Sequence, residues 1–151
     1  MTSPRATTRM AYDVRRSSTA PSAQDQRNLR VVVVEDEAII ALDIESQLTD
    51  LGVEVVAIAQ NAEQAIRLAE STRPDCLTMD INLQGERDGV SAAVEIFERL
   101  GIRCIFISAY NDAETIARGE KAKPLGWIAK PVRADRLQAR LRELIEGPPD
   151  S

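Results

Sequence analysis

Leu29-Arg30-Val31-Val32-Val33-Val34-Glu35-Asp36 sets an almost unbroken β-branched run directly against two carboxylates. Val31 to Val34 is apolar at successive rather than alternate positions. That pattern suits a strand buried on both faces, as in a parallel sheet covered by helices. Downstream, Glu37 to Leu51 carries Ile40, Ile44, Leu48 and Leu51 at helical spacing, and Gly52 stops it. Val53 to Ala59 is a second apolar run. Asn61 is placed to cap a helix through Ile66 and Leu68 that Pro74 closes before the strand Cys76-Leu77-Thr78-Met79. A loop from Ile81 to Gly89 leads into a helix bearing Val90, Val94, Ile96, Phe97 and Leu100, and Ile102 to Ile107 is a fourth strand. Asn111 to Lys121 is a weaker helical stretch interrupted by Gly119. Lys121-Ala122-Lys123-Pro124 after it reads as a mobile loop. Leu125 to Ala129 is a fifth strand, and Ala134 to Ile145 a last helix with Leu137, Leu141, Leu144 and Ile145 on one side.

Five strand–helix pairs with short connections predict a doubly wound α/β fold. Its strands are parallel, its crossovers right-handed, and helices lie on both faces. The 151 residues are 44% hydrophobic and 28% charged, enough apolar material for one domain with a real core. A net charge of −5 argues against a general nucleic-acid binder, and no apolar run is long enough for a membrane span. The absence of histidine excludes histidine triads, histidine metal ligands and a phosphohistidine carried by this chain. Cys76 and Cys104 are too few for a disulfide framework, and their strand positions read as small core residues in a reducing, cytoplasmic setting. Residues 1–28 carry five arginines against two aspartates, a charge of +3 that leaves −8 for the rest, and are rich in Ser, Thr, Ala and Pro. They are expected to be a disordered tail, as is the short end 148–151, with one folded domain over 29–147.

Ligands in such folds sit beyond the carboxyl ends of the strands. Those ends carry Glu35-Asp36, Asp80, Ser108 and Lys130-Pro131. Alone, each has a bland reading: an acidic pair complements a helix N-terminus, Asp80 and Ser108 are ordinary turn formers, Lys130-Pro131 is a strand-to-helix turn. Together they converge on one edge. Clustered carboxylates repel unless a cation lies among them, and an all-oxygen donor set suits Mg²⁺. Beside such a site an aspartate can act as nucleophile toward phosphorus, while a hydroxyl and an ammonium bind phosphoryl oxygens.

At these residues the sequence resembles the receiver domain of bacterial two-component response regulators. The matching motifs are Val33-Val34-Glu35-Asp36-Glu37, Met79-Asp80-Ile81-Asn82-Leu83, Asp88-Gly89, Ile107-Ser108-Ala109 and Ala129-Lys130-Pro131, and the likeness runs from Leu29 to Glu146. It implies a flavodoxin-like, CheY-like five-stranded sheet of order 2-1-3-4-5. It implies that Asp80 is the phosphoacceptor, and that Asp36, Asp80 and the Asn82 carbonyl bind Mg²⁺ directly with Glu35 acting through water. Lys130 would pair with the phosphoryl group, Ser108 would move to meet it, and Lys130-Pro131 would be a cis bond. Phe106-Ile107-Ser108-Ala109-Tyr110 is similar to the Phe-Ala-Thr-Gly-Tyr signature of an alphaproteobacterial single-domain subgroup. Glu35 to Glu45 resembles the receiver half of general-stress-response regulators, whose sigma-like domain has no room in the first 28 residues.

The chain departs from the family pattern in several places. Gln84 stands where many receivers have Pro, and the loop from Asp80 to Gly89 is one residue longer than the commonest form. Trp127 occupies the switch-aromatic position usually held by Tyr or Phe, so Tyr110 is expected to share the switching. The resulting expectation is a stand-alone phospho-receiver rather than an enzyme on other substrates. A histidine kinase or phosphotransferase would be the donor, and the output would be contact with an unknown downstream protein or drainage of phosphate from a relay. Ala38, Ile39 and Leu42 are the partner-facing candidates on the first helix. A homodimer would use the weak fourth helix, the fifth strand and the last helix. The alternative is a non-phosphorylated adaptor of the same fold. A flavin binder would want a Ser/Thr/Gly-rich loop where Glu35-Asp36-Glu37 stands, and an aspartate-nucleophile phosphatase a second Asp where Asn82 stands.

Overall fold

Strands β1 (Arg30–Val34), β2 (Glu54–Ala59), β3 (Cys76–Asp80), β4 (Arg103–Ser108) and β5 (Gly126–Ala129) pair in parallel in the order β2-β1-β3-β4-β5. The computed structural model describes residues 28–109 and 111–146. Expectations for the two tails, Asn28 apart, and for Tyr110 fall outside them. The helices are α1 (Ala38–Asp50), α2 (Ala62–Thr72), α3 (Gly89–Leu100), α4 (Ala113–Gly119) and α5 (Ala134–Glu146).

The sheet has two cores because strand side chains alternate between its faces. Val32, Val34, Leu77, Met79, Cys104 and Phe106 pack with α2 and α3, while Val31, Val33, Cys76, Ile105 and Ile107 pack with α1 and α5. Val31 to Val34 are at most 1% exposed, the double burial that their unbroken apolar run implied. Each such side chain stabilises the fold by roughly 1.5–3 kcal/mol. The cysteines fall in opposite cores. Burial pushes the Cys76 thiol up to about 12, and the Cys104 thiol is raised as well, so both are inert packing residues.

Helix starts follow the expected chemistry. Asn61 Oδ1 accepts from Gln64 N at 2.9 Å, Asp88 Oδ1 from Ser91 N at 2.9 Å, and Asp112 Oδ1 from Thr115 N at 2.7 Å. The weak fourth helix is a seven-residue α4 followed by a 3₁₀ turn over Glu120–Ala122. This corrects the mobile-loop reading of residues 121–124. Ala122 is fully buried, and the Arg103 guanidinium donates to the carbonyls of Lys123 and Pro124.

Candidate functional site

Parallel pairing brings every strand's carboxyl end to one edge, which is how residues far apart in sequence meet. Glu35 and Asp36 follow β1, Asp80 ends β3, Ser108 ends β4 and Lys130 follows β5. Glu35, Asp80 and Ser108 are buried, and Asp36 is half-buried. Oxygens of Glu35, Asp36 and Asp80 all lie within 4.8 Å of one another. The Lys130 ammonium stands 3.4 Å from Asp80 Oδ2 and 3.4 Å from Glu35 Oε1. The Lys130–Pro131 peptide is cis, and Gln47 on α1 donates to the Val132 carbonyl at 3.0 Å, strapping the loop that carries Lys130.

Backbone donors aim the carboxylates. Glu37 N donates to Glu35 Oε2 at 3.1 Å, Asn82 N to Asp80 Oδ1 at 3.0 Å, and Gln84 N to Asp36 Oδ2 at 3.1 Å. The last bond explains a departure in the sequence: proline, lacking an N–H, could not make it. Gln84→Pro is therefore expected to weaken the binding of added Mg²⁺ at this cluster by about tenfold or more, since a hydrogen bond to a charged group contributes about 1.5–3 kcal/mol. Calorimetric titration of the metal checks this, and an unchanged affinity would mean that Asp36 keeps its place without Gln84. Gly89 also gains a reason. Its N–H donates to the Ile81 carbonyl at 3.2 Å, and a Cβ there would stand 2.0 Å from the Asp80 carbonyl oxygen.

The electrostatics are those of an acid cluster with one cation. Burial, then the neighbouring Asp80 charge, lifts the Glu35 carboxyl to about 7. Burial alone would lower the Lys130 ammonium, but Asp80 and Glu35 outweigh it and raise it. Glu35 Oε1 is buried and accepts no hydrogen bond. A buried carboxylate oxygen that has only the Lys130 charge at 3.4 Å and no hydrogen bond, within a three-carboxylate cluster, fits a hard divalent cation with oxygen donors.

Ser108 donates its hydroxyl to Asn111 Oδ1, a partner that the sequence reading missed because only the fold turns residue 111 back onto β4. Asp88, besides capping α3, pairs with Arg118 on α4 at 3.1 Å. Trp127 stacks on Phe106 with ring centroids 4.5 Å apart, and its Nε1 donates to Glu120 Oε2 at 3.2 Å. A Cβ on Gly119 would stand 2.6 Å from that indole.

The model of the response regulator receiver domain family matches residues 31–142. The chain belongs to this family. Among curated relatives, the receiver is 32% identical over 102 residues to the transcriptional regulatory protein PdtaR of Mycobacterium tuberculosis, covering 68% of this chain and 49% of that one. It is 31% identical to the phyllosphere-induced regulator PhyR of Methylorubrum extorquens, covering 76% of this chain and 43% of PhyR. It thus spans about half the length of these two. To the chemotaxis protein CheY of Bacillus subtilis it is 35% identical, covering 77% of this chain and 97% of CheY. Among solved structures, the signal receiver domain of a modulated diguanylate cyclase from Desulfovibrio desulfuricans G20 superimposes with a TM-score of 0.74. That match is 36% identical and covers 79% of this receiver and 94% of that chain.

Proposed function

We propose that this receiver accepts a phosphoryl group on Asp80 from a histidine kinase or phosphotransferase, with Mg²⁺, and passes the signal on by protein contact. The observation that carries the reading is Lys130 Nζ at 3.4 Å from Asp80, inside a cluster of three carboxylates. Asp36, Asp80 and the Asn82 carbonyl would hold the metal, with Glu35 behind them through water. Bound Mg²⁺ would neutralise charge on the phosphoryl oxygens. An Asp80 carboxylate oxygen forms the new bond to phosphorus as the donor's P–N bond breaks and the imidazole leaves with its electron pair. Lys130 then binds one phosphoryl oxygen. For Ser108 to bind another, its hydroxyl must leave Asn111, and that exchange is the switch read by the surface beyond β4. Ile39 (82% exposed) and Leu42 (58% exposed) offer a partner the apolar contact on α1 that the sequence reading assigned to them, beside exposed Ala38.

The folded unit is taken as residues 29–147. No helix among the described residues is long and apolar enough to cross a membrane, in keeping with a cytoplasmic reading. Intact mass after incubation with Mg²⁺ and acetyl phosphate tests the proposal. The expected result is a one-phosphoryl gain that is lost in Asp80→Asn and without the metal. No gain from either acetyl phosphate or a phosphorylated cognate kinase would favour the non-phosphorylated adaptor.

A further inference from the structure

A second concave site lies at the opposite end of the sheet, where β1 begins and α1 and α5 end. It has a volume of about 410 Å³, within the range of roughly 300–1,000 Å³ usual for ligand sites. Its apolar lining is Leu29, Leu51, Val53, Leu141 and Ile145, and Ile145 is 52% exposed. Its charged lining is balanced, one acid to one base, and acids adjoin it. Glu146 lines it beside Arg142, exposed Asp50 and Glu54 flank the Leu51–Val53 lining, and both helices present C-terminal dipole ends. Nothing in the phosphoryl chemistry uses this face. The surface calls for an occupant that is apolar and basic together.

We infer that residues 10–16 of this chain, Met10-Ala11-Tyr12-Asp13-Val14-Arg15-Arg16, dock in this groove. Asn28, which lines the groove, is also the residue through which positions 1–27 join the domain. Eleven residues separate Arg16 from Asn28, a reach of about 36 Å when extended, so the segment spans the site with slack. A tether of that length holds its end near millimolar effective concentration, so modest contacts suffice. Within the first 27 residues, Met10, Tyr12 and Val14 form the cluster of large apolar side chains, and Arg15-Arg16 adjoins it. The charge of +3 on residues 1–28 opposes the −8 of the remainder. The apolar side chains cover Leu51 and Ile145, and the arginines meet the acidic rim.

Methyl NMR of the full chain tests the inference, reading the Ile145 and Leu141 methyls with the Ile116 methyl on α4 as a distant control. Tyr12→Ser is expected to abolish a ring-current displacement of the Ile145 methyl, Tyr12→Phe to keep it, and Met10→Ser to reduce it. High salt should reduce it too, by screening the arginines. The Ile116 signal should stay fixed, which shows that the fold is intact. An Ile145 methyl indifferent to both Tyr12→Ser and Met10→Ser overturns the inference. So does a displacement that grows with protein concentration, which would make the occupant a second copy.

Discussion

A chain carrying Gly89→Ala is expected to melt about 10–15 °C below the native chain and to lose most of the phosphoryl gain proposed for Asp80. The added methyl would sit 2.0 Å from the carbonyl oxygen of Asp80, and the atoms in the way are backbone rather than a flexible side-chain end. Overpacking of a tight interior costs typically 1–3 kcal/mol, and a clash with a central strand belongs at the upper end. At about 4 °C per kcal/mol for a domain of this size, roughly 3 kcal/mol gives the stated shift. Relief requires either α3 to lift from the sheet or β3 to yield at Asp80, the proposed phosphoacceptor. Activity and stability therefore fall together. Calorimetry and intact-mass phosphorylation measure both, and a native melting point would show that the loop gives way at little cost.

The second large effect belongs to Lys130→Met. Lys130 is the cation that faces Glu35 and Asp80, which are 1% and 2% exposed. Removing one partner of a buried ion pair costs about 3–5 kcal/mol, because the remaining charge stays desolvated. Here one carboxylate can escape by taking a proton. The folded-state value of about 7 for Glu35 lies above its ordinary 4.5, so the folded state binds that proton more tightly than the unfolded chain does. Its contribution to stability is complete below the ordinary value and is lost as pH rises through about 7. In metal-free buffer the native chain should thus weaken from about pH 5 to pH 8, and Lys130→Met should weaken more steeply. Urea unfolding with a chelator present, at each end of that range, measures the difference. Equal penalties at both ends would acquit Glu35.

The strand ends were legible because the fold class fixes where they go. Once five buried runs are parallel, Glu35, Asp36, Asp80, Ser108 and Lys130 have one edge to share. Backbone donors were not legible. The Gln84 N–H that orients Asp36 looks, in sequence, like a mere missing proline. Asn111 reads as the start of a helix until the turn after β4 brings it onto Ser108. The stretch after α4 was misread for a related reason. Its only deeply buried member is a single alanine, and the arginine that ties it down comes from β4, about twenty residues earlier. Periodicity carries no signal for an anchor made of one small side chain and two carbonyls.

The indole of Trp127 and the bare backbone of Gly119 have an evolutionary corollary. With 2.6 Å between the ring and the position of a Cβ at residue 119, the two sites cannot drift independently. A chain that keeps tryptophan at 127 takes alanine at 119 only if the indole gives way, with the Phe106 ring also 3.0 Å from the added methyl. One that shrinks the aromatic first opens the space for a methyl, and thereafter finds the way back closed. The order of substitutions along such a branch is set by the thickness of one ring.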